Sequence, residues 1–272
     1  MPPLVHIIIV THNSSNELSF CLQAIENQSH DVDSITIVDS GSDDTAYLDR
    51  LSLKRVKVLL RENAGFSKGN NIGFKFIKPA EDDVIVFLNP DAFLHEDAIF
   101  QIVRVFGQYE DVGCVTGKLN GYNLKDKKKT GLLDSTGIFR KWYGRWYDRG
   151  QGEVDTGLYD QVEDVPAVCG ALMCCKVKSL EKFNDEIFDS NFFLYKEDIE
   201  LSLRIRRNGW RLMYSPLVVA DHCRGWGEDR RDVSYRNRLY SAENEIKLYC
   251  KHPSVYMVWA VVKYVAVRWL RL

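Results

Sequence analysis

Four short runs of β-branched and aliphatic residues, 5–10, 34–38, 56–60 and 84–88, recur through the first third of the chain, separated by segments with helical spacing or turn residues. Strands that alternate with helices join through right-handed crossovers into a parallel sheet. The expected fold is therefore α/β, a Rossmann-like, mostly parallel sheet flanked by helices. Residues 17–27 read as the first helix, with the cluster Asn13-Ser14-Ser15-Asn16 placed to cap it. Residues 69–76 and 96–109 read as further helices, the latter with Ile99, Ile102, Val103 and Phe106 on one face.

A chain of 272 residues with 45% hydrophobic and 27% charged content supports one sizeable core, as one large domain or two tightly joined halves. A net charge of −2, without a helix-turn-helix, zinc-finger or RNP signature, argues against nucleic acid as a partner. Seven cysteines without a C-x-x-C pair indicate neither a zinc site nor a disulfide framework, and reduced thiols are expected. The opening residues lack a basic n-region before a short apolar run, so a cytoplasmic location is expected.

The stretch 118–164 is Gly-rich, charged and aromatic, with Lys127-Lys128-Lys129 followed by Trp142, Tyr143, Trp146 and Tyr147. It reads as a mobile, substrate-facing loop region, with the lysines at a solvated tip. The aromatics suit either core packing or a sugar-stacking surface. Residues 199–272 carry 14 Lys and Arg against 7 Asp and Glu. Within them, residues 254–272 are apolar except for Ser254, Lys263, Arg268 and Arg271, and the three cations fall on one side of a helical projection. An interfacial amphipathic helix fits that pattern better than a spanning one, with packing in a core or homodimer as the competing reading.

Chemistry-bearing residues gather where these strands end. Thr11-His12-Asn13 follows the first strand without the glycines of a dinucleotide fingerprint, which disfavours NAD and FAD. The turn Asp39-Ser40-Gly41-Ser42-Asp43-Asp44 follows the second, and its first carboxylate suits hydrogen bonds from a base or ribose. Between Asn63 and Gly73, three glycines permit close backbone approach, while Asn63, Lys68 and Asn70 supply donors beside a helix N-terminus, a pattern that suits phosphate. Asn89-Pro90-Asp91 puts an amide and a carboxylate on a rigid turn, and Mg²⁺ or Mn²⁺ on a diphosphate needs only one or two such protein oxygens. His222 offers a nitrogen ligand, which favours Mn²⁺, or a structural role. Glu197-Asp198 opens a helical stretch, where carboxylates complement the helix dipole and one can also serve as a general base.

In order along the chain, Ile7 through Asn13, Val38 through Asp44, Asn63 through Gly73, Leu88-Asn89-Pro90-Asp91, and Phe193 through Leu201 followed by Arg204, Gly209-Trp210, Pro216 and His222 resemble the family 2 inverting glycosyltransferases of the GT-A fold, particularly the bacterial rhamnosyltransferase-like branch. The resemblance covers nearly the whole chain. It implies that Thr11, Asn13 and Asp39 contact the nucleoside, and that Asn63, Gly65 and Asn70 lie near the diphosphate or donor sugar. It further implies that Asp91 binds the metal, joined by His222, and that Asp198 is the base of a single inverting displacement. Asn89 stands where the family's D-x-D motif has its first acid. Glu197, Trp142, Trp146 and Trp226 are the candidates for acceptor contacts.

The implied organisation is a transferase domain over 1–250, with a nucleotide-binding half (1–117), an acceptor-binding half (118–250) and an amphipathic helix at 251–272. The implied partners are a dTDP- or UDP-linked sugar and a glycan or polyprenyl-diphosphate-linked acceptor, met at the inner face of the cytoplasmic membrane. A nucleotidyltransferase is disfavoured because Thr11 to Asn16 holds neither glycine nor Lys or Arg, and a non-catalytic sugar- or lipid-binding module because Asp91 and Asp198 both stand in their motifs.

Overall fold

All four predicted runs are strands. In the computed structural model, which describes residues 3–49, 51, 55–184, 186–223 and 234–271, the chain begins β1 (Val5–Thr11), α1 (Leu18–Glu26), β2 (Ser34–Ser40), α2 (Ala46–Asp49), β3 (Val56–Arg61), α3 (Gly65–Ile77), β4 (Val84–Leu88), β5 (Ala92–Leu94) and α4 (Ala98–Gln108). It continues through β6 (Val112–Asn123), β7 (Lys128–Ser135), β8 (Ile138–Arg140), β9 (Trp146–Asp148), β10 (Glu163–Asp164) and β11 (Leu172–Lys176) to a 3-10 helix (Val177–Phe183). The remaining elements are α5 (Glu197–Arg207), β12 (Arg211–His222), α6 (Tyr235–Lys251) and α7 (Met257–Leu270).

The main sheet runs β10-β12-β6-β11-β4-β1-β2-β3, with β5 added to β12 and β7 to β6. Strands β3, β2, β1 and β4 are parallel, β11 is reversed between β4 and β6, and β12 is again parallel to β6. The reversal matters for the site: it brings the start of β11 to the same edge as the end of β4, with Leu172 opposite Leu88. It also means that both halves share one sheet.

Alternate residues of the central strands feed two cores. Ile7, Ile9, Val86 and Leu88 pack with Ile99 and Ile102 of α4 and Leu22 of α1, whereas Ile8, Ile85 and Phe87 pack with Phe188 and with Leu201 and Ile205 of α5. Both faces are covered, as a parallel sheet requires. Gly69 and Gly73 seat α3 against β1: a Cβ at Gly69 would lie 2.7 Å from Val10 and one at Gly73 2.6 Å from Ile8.

Several expectations change. The helix expected at 69–76 begins a turn earlier, at Gly65. The Asn13–Asn16 cluster does not cap α1 through a side chain; Glu17 is the N-cap residue and Asn13 turns away to the Ser42 hydroxyl and the Asp43 N–H. The stretch 118–164 is not one loop but carries the end of β6 and strands β7 to β10, and Leu133, Asp134, Ser135 and Thr136 within it are buried. Lys127 does sit at an exposed turn, between β6 and β7. Asn208 and Gly209 end α5, with Gly209 at φ +91°.

The last helix, α7, turns one of its cations toward the protein. Lys263 points inward, to Glu245 of α6 at 2.6 Å, beside buried Ala260 and Val267. Valines occupy the outer face instead. Among the described residues, no helix is long and apolar enough to cross a membrane.

Candidate active site

Parallel strands leave their C-terminal ends open to ligand, and here three turns and one strand end meet there. After β1, Asn13 adopts a left-handed φ of 54°, from which its side-chain oxygen accepts from the Asp43 N–H at 2.8 Å and its amide donates to the Asp43 carboxylate at 2.9 Å. After β2, buried Asp39 accepts from the Ser42 N–H at 3.0 Å, the Ser42 hydroxyl and the Tyr47 hydroxyl at 3.4 Å. Tyr47 also meets the Thr11 hydroxyl at 3.1 Å. Thr11, Asn13 and Asp39 therefore form one cross-braced corner.

The 63–73 segment divides its labour differently from expectation. Asn63 accepts from the Gly65 N–H at 3.3 Å at the start of α3. Gly65, at φ +76°, leaves room for the Phe193 carbonyl, which would lie 2.5 Å from a Cβ there. Asn70 is buried, and its amide donates to the Phe66 carbonyl one turn back in the same helix. Lys68 lines a groove with Asn71, Phe183, Asn184 and Ser190, a different set of residues from those around Asp91. Two of the three glycines thus serve helix packing rather than phosphate approach.

Asn89 to Ala92 is a tight turn closed by the Ala92 N–H to Asn89 carbonyl bond at 3.1 Å, with Pro90 at its second position. β5 pairs antiparallel with β12, which places His222 opposite Ala92. The His222 Nε2 then lies 3.3 Å from Asp91 Oδ1, and its Nδ1 lies 2.7 Å from Oδ2 of wholly buried Asp134. Burial opposes charge on the imidazole, but its bonds to Asp134 and Asp91 prevail and raise its pKa to about 9.

This donor set fits a divalent ion shared with a ligand. One carboxylate oxygen and one imidazole nitrogen converge, the far ring nitrogen is fixed by a second carboxylate, and no larger His, Cys, Asp and Glu cluster occurs among the described residues. Mn²⁺ or Mg²⁺ held this way completes its shell from phosphate oxygens and water.

The second acidic centre begins α5. Tyr195 and Lys196 are both left-handed, at φ 73° and 72°, a costly pair for side-chain-bearing residues. The Asn244 amide of α6 holds that bend, donating to the Leu194 and Tyr195 carbonyls at 2.9 and 3.0 Å. The bend delivers Asp198 to the Gly170 N–H at 3.1 Å, with its other oxygen on the Ile199 N–H at 2.8 Å. Burial raises the pKa of Asp198 despite these bonds. Buried Glu197 beside it is raised to about 8, by desolvation first and the Asp198 charge second.

One short segment joins the two centres. Gly170 donates its N–H to Asp198, and the next carbonyl, Ala171, accepts the Asn89 N–H at 3.0 Å. The catalytic-base candidate and the Asn89–Ala92 turn are thus registered through Gly170-Ala171.

The aromatic candidates separate. Trp146 is buried in the core under the Arg140 guanidinium, so it offers no stacking face to an acceptor. Trp142 is 84% exposed and stacks edge-on to Tyr143. Trp226 lies outside the described residues. Asp134, Gly170 and Asn244 carry site geometry that no motif announced; the only sequence signal for Asp134 is its place in the polar trio Asp134-Ser135-Thr136 behind an apolar pair.

Comparison with known proteins agrees with this geometry. The profile of the family described as "Glycosyltransferase like family 2" matches residues 2–239. The rhamnosyltransferase WbbL of Escherichia coli (strain K12) is 26% identical over 229 residues, 80% of this chain and 83% of that protein. The O-antigen chain rhamnosyltransferase RfbN of Salmonella typhimurium is 31% identical over 103 residues, 38% of this chain and 33% of its own. Among solved structures, GalNAc-T7 with UDP, GalNAc and Mn²⁺ superposes with a TM-score of 0.72 at 15% identity, covering 98% of this chain and 50% of that one. The mannosyltransferase PcManGT from Pyrobaculum calidifontis, in complex with GDP-Man and Mn²⁺, gives 0.63 at 17% identity, with 98% and 74% covered. These two structures share the GT-A fold seen here.

Proposed function

We propose that this chain, which belongs to the family 2 glycosyltransferases, transfers L-rhamnose from dTDP-rhamnose to a hydroxyl of a glycan or polyprenyl-diphosphate-linked glycan, with inversion, during bacterial surface polysaccharide synthesis at the inner face of the cytoplasmic membrane. The observation that carries this reading is the Gly170-Ala171 link, which sets a desolvated carboxylate and a carboxylate–imidazole pair at one sheet edge. The names of the relatives favour rhamnose as the sugar. A UDP-hexose is the competing donor, since nothing in the Thr11–Asn13–Asp39 corner separates thymine from uracil.

In this reading Thr11, Asn13 and Asp39 frame the nucleoside, and Asn63 with the α3 N-terminus meets the diphosphate. Asp91 and His222 hold Mn²⁺ or Mg²⁺, and a bound ion offsets negative charge on the departing diphosphate. Asp198 takes the proton of the attacking hydroxyl, and its raised pKa brings it nearer the working pH of a general base. Because the hydroxyl attacks opposite the leaving group, no covalent enzyme intermediate forms.

Two measurements test this. Calorimetry with dTDP, UDP and GDP, each with and without Mn²⁺ or Mg²⁺, is expected to show metal-enhanced binding of dTDP. Preference for UDP would replace the donor, and binding of none would overturn the transferase reading. Asp198→Asn is expected to lower turnover by a factor of about 10² or more while leaving donor affinity unchanged. Near-normal turnover would remove Asp198 as the base.

A further inference from the structure

The outer face of α7 is apolar along its whole length. Val258, Val261, Val262, Val265 and Trp269 follow one another at helical spacing, with Val255 just before the helix, and each is exposed, from 44% at Val265 to 82% at Val255. Burial cannot account for the stripe, because the inward side of α7 is the one that carries Ala260, Val267 and the Lys263–Glu245 pair.

The stripe does not end with the helix. The β8–β9 hairpin leans on the start of α7: the Tyr143 ring lies 4.9 Å from Trp259, the Arg140 guanidinium 4.1 Å from the Tyr256 ring, and the Gly144 carbonyl accepts from Tyr249 of α6 at 2.8 Å. Trp142 projects from the hairpin tip, 84% exposed, with Lys141 exposed next to it. Apart from Lys263, which is turned inward to Glu245, residues 138–147 and 255–271 hold five cations, Arg140, Lys141, Arg145, Arg268 and Arg271, and no Asp or Glu. Large apolar side chains, interfacial tryptophans and one sign of charge thus occupy one continuous surface.

We propose that α7 and the tip of the β8–β9 hairpin form a single docking face that lies on an anionic lipid bilayer, with the valine stripe and Trp142 entering the headgroup boundary and the flanking cations meeting lipid phosphates. Charge decides between occupants: a second copy would bring the same unbalanced cations against these, whereas an anionic leaflet neutralises them. Trp142 then belongs to the membrane face rather than to an acceptor subsite. The active site is tied to this face through α6, whose Asn244 holds the Leu194–Tyr195 bend before Asp198 and whose Glu245 pairs with Lys263 of α7.

The proposal goes beyond the donor and acceptor reading and is tested without either. The full chain is sedimented with vesicles of phosphatidylcholine alone or with added phosphatidylglycerol, at low and high salt. Expected is binding to the anionic vesicles only, weakened by salt, with tryptophan emission quenched by brominated lipid. The pair Val258→Glu and Val262→Glu is expected to cut partitioning at least tenfold, and Lys141→Glu about fivefold or more. Both variants change exposed side chains and should keep the wild-type circular dichroism spectrum, and the valine pair should keep turnover on a soluble acceptor. Absence of vesicle binding, or binding that neither variant weakens, overturns the proposal. So does concentration-dependent dimerisation that the valine pair abolishes, which would make the stripe a homodimer interface. Loss of turnover in Asp198→Asn with vesicle binding intact would leave the two readings independently judged.

Discussion

Asp91 and Asp198 are carboxylates at the same edge of one sheet, registered by adjacent residues of one segment, yet they are held in opposite ways. Asp91 faces a buried imidazole whose other nitrogen rests on a second carboxylate, so negative, positive and negative groups alternate and the imidazole's charge is favoured. Asp198 and its buried neighbour Glu197 have the Lys196 charge to favour ionisation, but desolvation outweighs it and both carboxyl groups are pushed upward. Two carboxylates about one imidazole suit a site where a divalent cation would take the place of the imidazole's Nε2 proton. Desolvated like charge suits a group that must accept a proton.

The largest test of that contrast is a pH titration of stability. Glu197 is raised from 4.5 to about 8 in the folded chain, so folding binds a proton more tightly than unfolding does. Its contribution is fully present below pH 4.5 and is lost as pH rises toward 8, with a slope of up to about 1.4 kcal/mol per pH unit. Glu197→Gln is expected to remove most of this slope, leaving the shallower part due to Asp198, so the variant gains on wild type as pH rises. Denaturant unfolding across that window checks it; parallel pH curves for the two proteins would show that Glu197 ionises normally.

A smaller effect is expected on the paired side. Asp134 braces His222, the proposed metal ligand, at its Nδ1, at 2.7 Å. Asp134→Asn keeps the volume but releases the tautomer and orientation of the ring, and is expected to weaken Mn²⁺ affinity about 10- to 100-fold. Titrating Mn²⁺ by calorimetry in the presence of nucleoside diphosphate reads this directly. Unchanged affinity would mean that His222 does not take part in holding the ion.

The two sites also differ in how far they could be read from sequence. The Asp91 turn follows a fully apolar strand and contains proline, so its place at a strand end was visible, as was the parallel order of β1 to β4. The partners that complete it were not. Asp134 lies on β7, whose first half is exposed and charged and so reads as loop, and only the pairing of β7 with β6 shows that it is a strand with a buried end. Likewise Gly69 and Gly73 look the same in sequence whether they face a phosphate or a strand; the close approach to Val10 and Ile8 decides. Local pattern reports periodicity and turns, whereas these roles arise from contacts across the sheet.

Asn244 is the remaining test, and it separates positioning from stability. Its amide is buried and donates to two successive carbonyls of the Leu194–Tyr195 bend, the bend whose left-handed residues aim Asp198 at Gly170. Removing it in Asn244→Ala leaves those carbonyls without this donor, at a cost of about 1–3 kcal/mol. If the amide only stabilised α6, activity would follow the folded fraction and the folded enzyme would turn over normally. If it holds the bend, the folded enzyme is expected to lose turnover with donor KM unchanged, because the Thr11–Asn13–Asp39 corner does not touch Asn244. Asn244→Gln, which keeps the amide but displaces it by a methylene, should recover stability more than turnover. Equal recovery of both would assign Asn244 to the core alone.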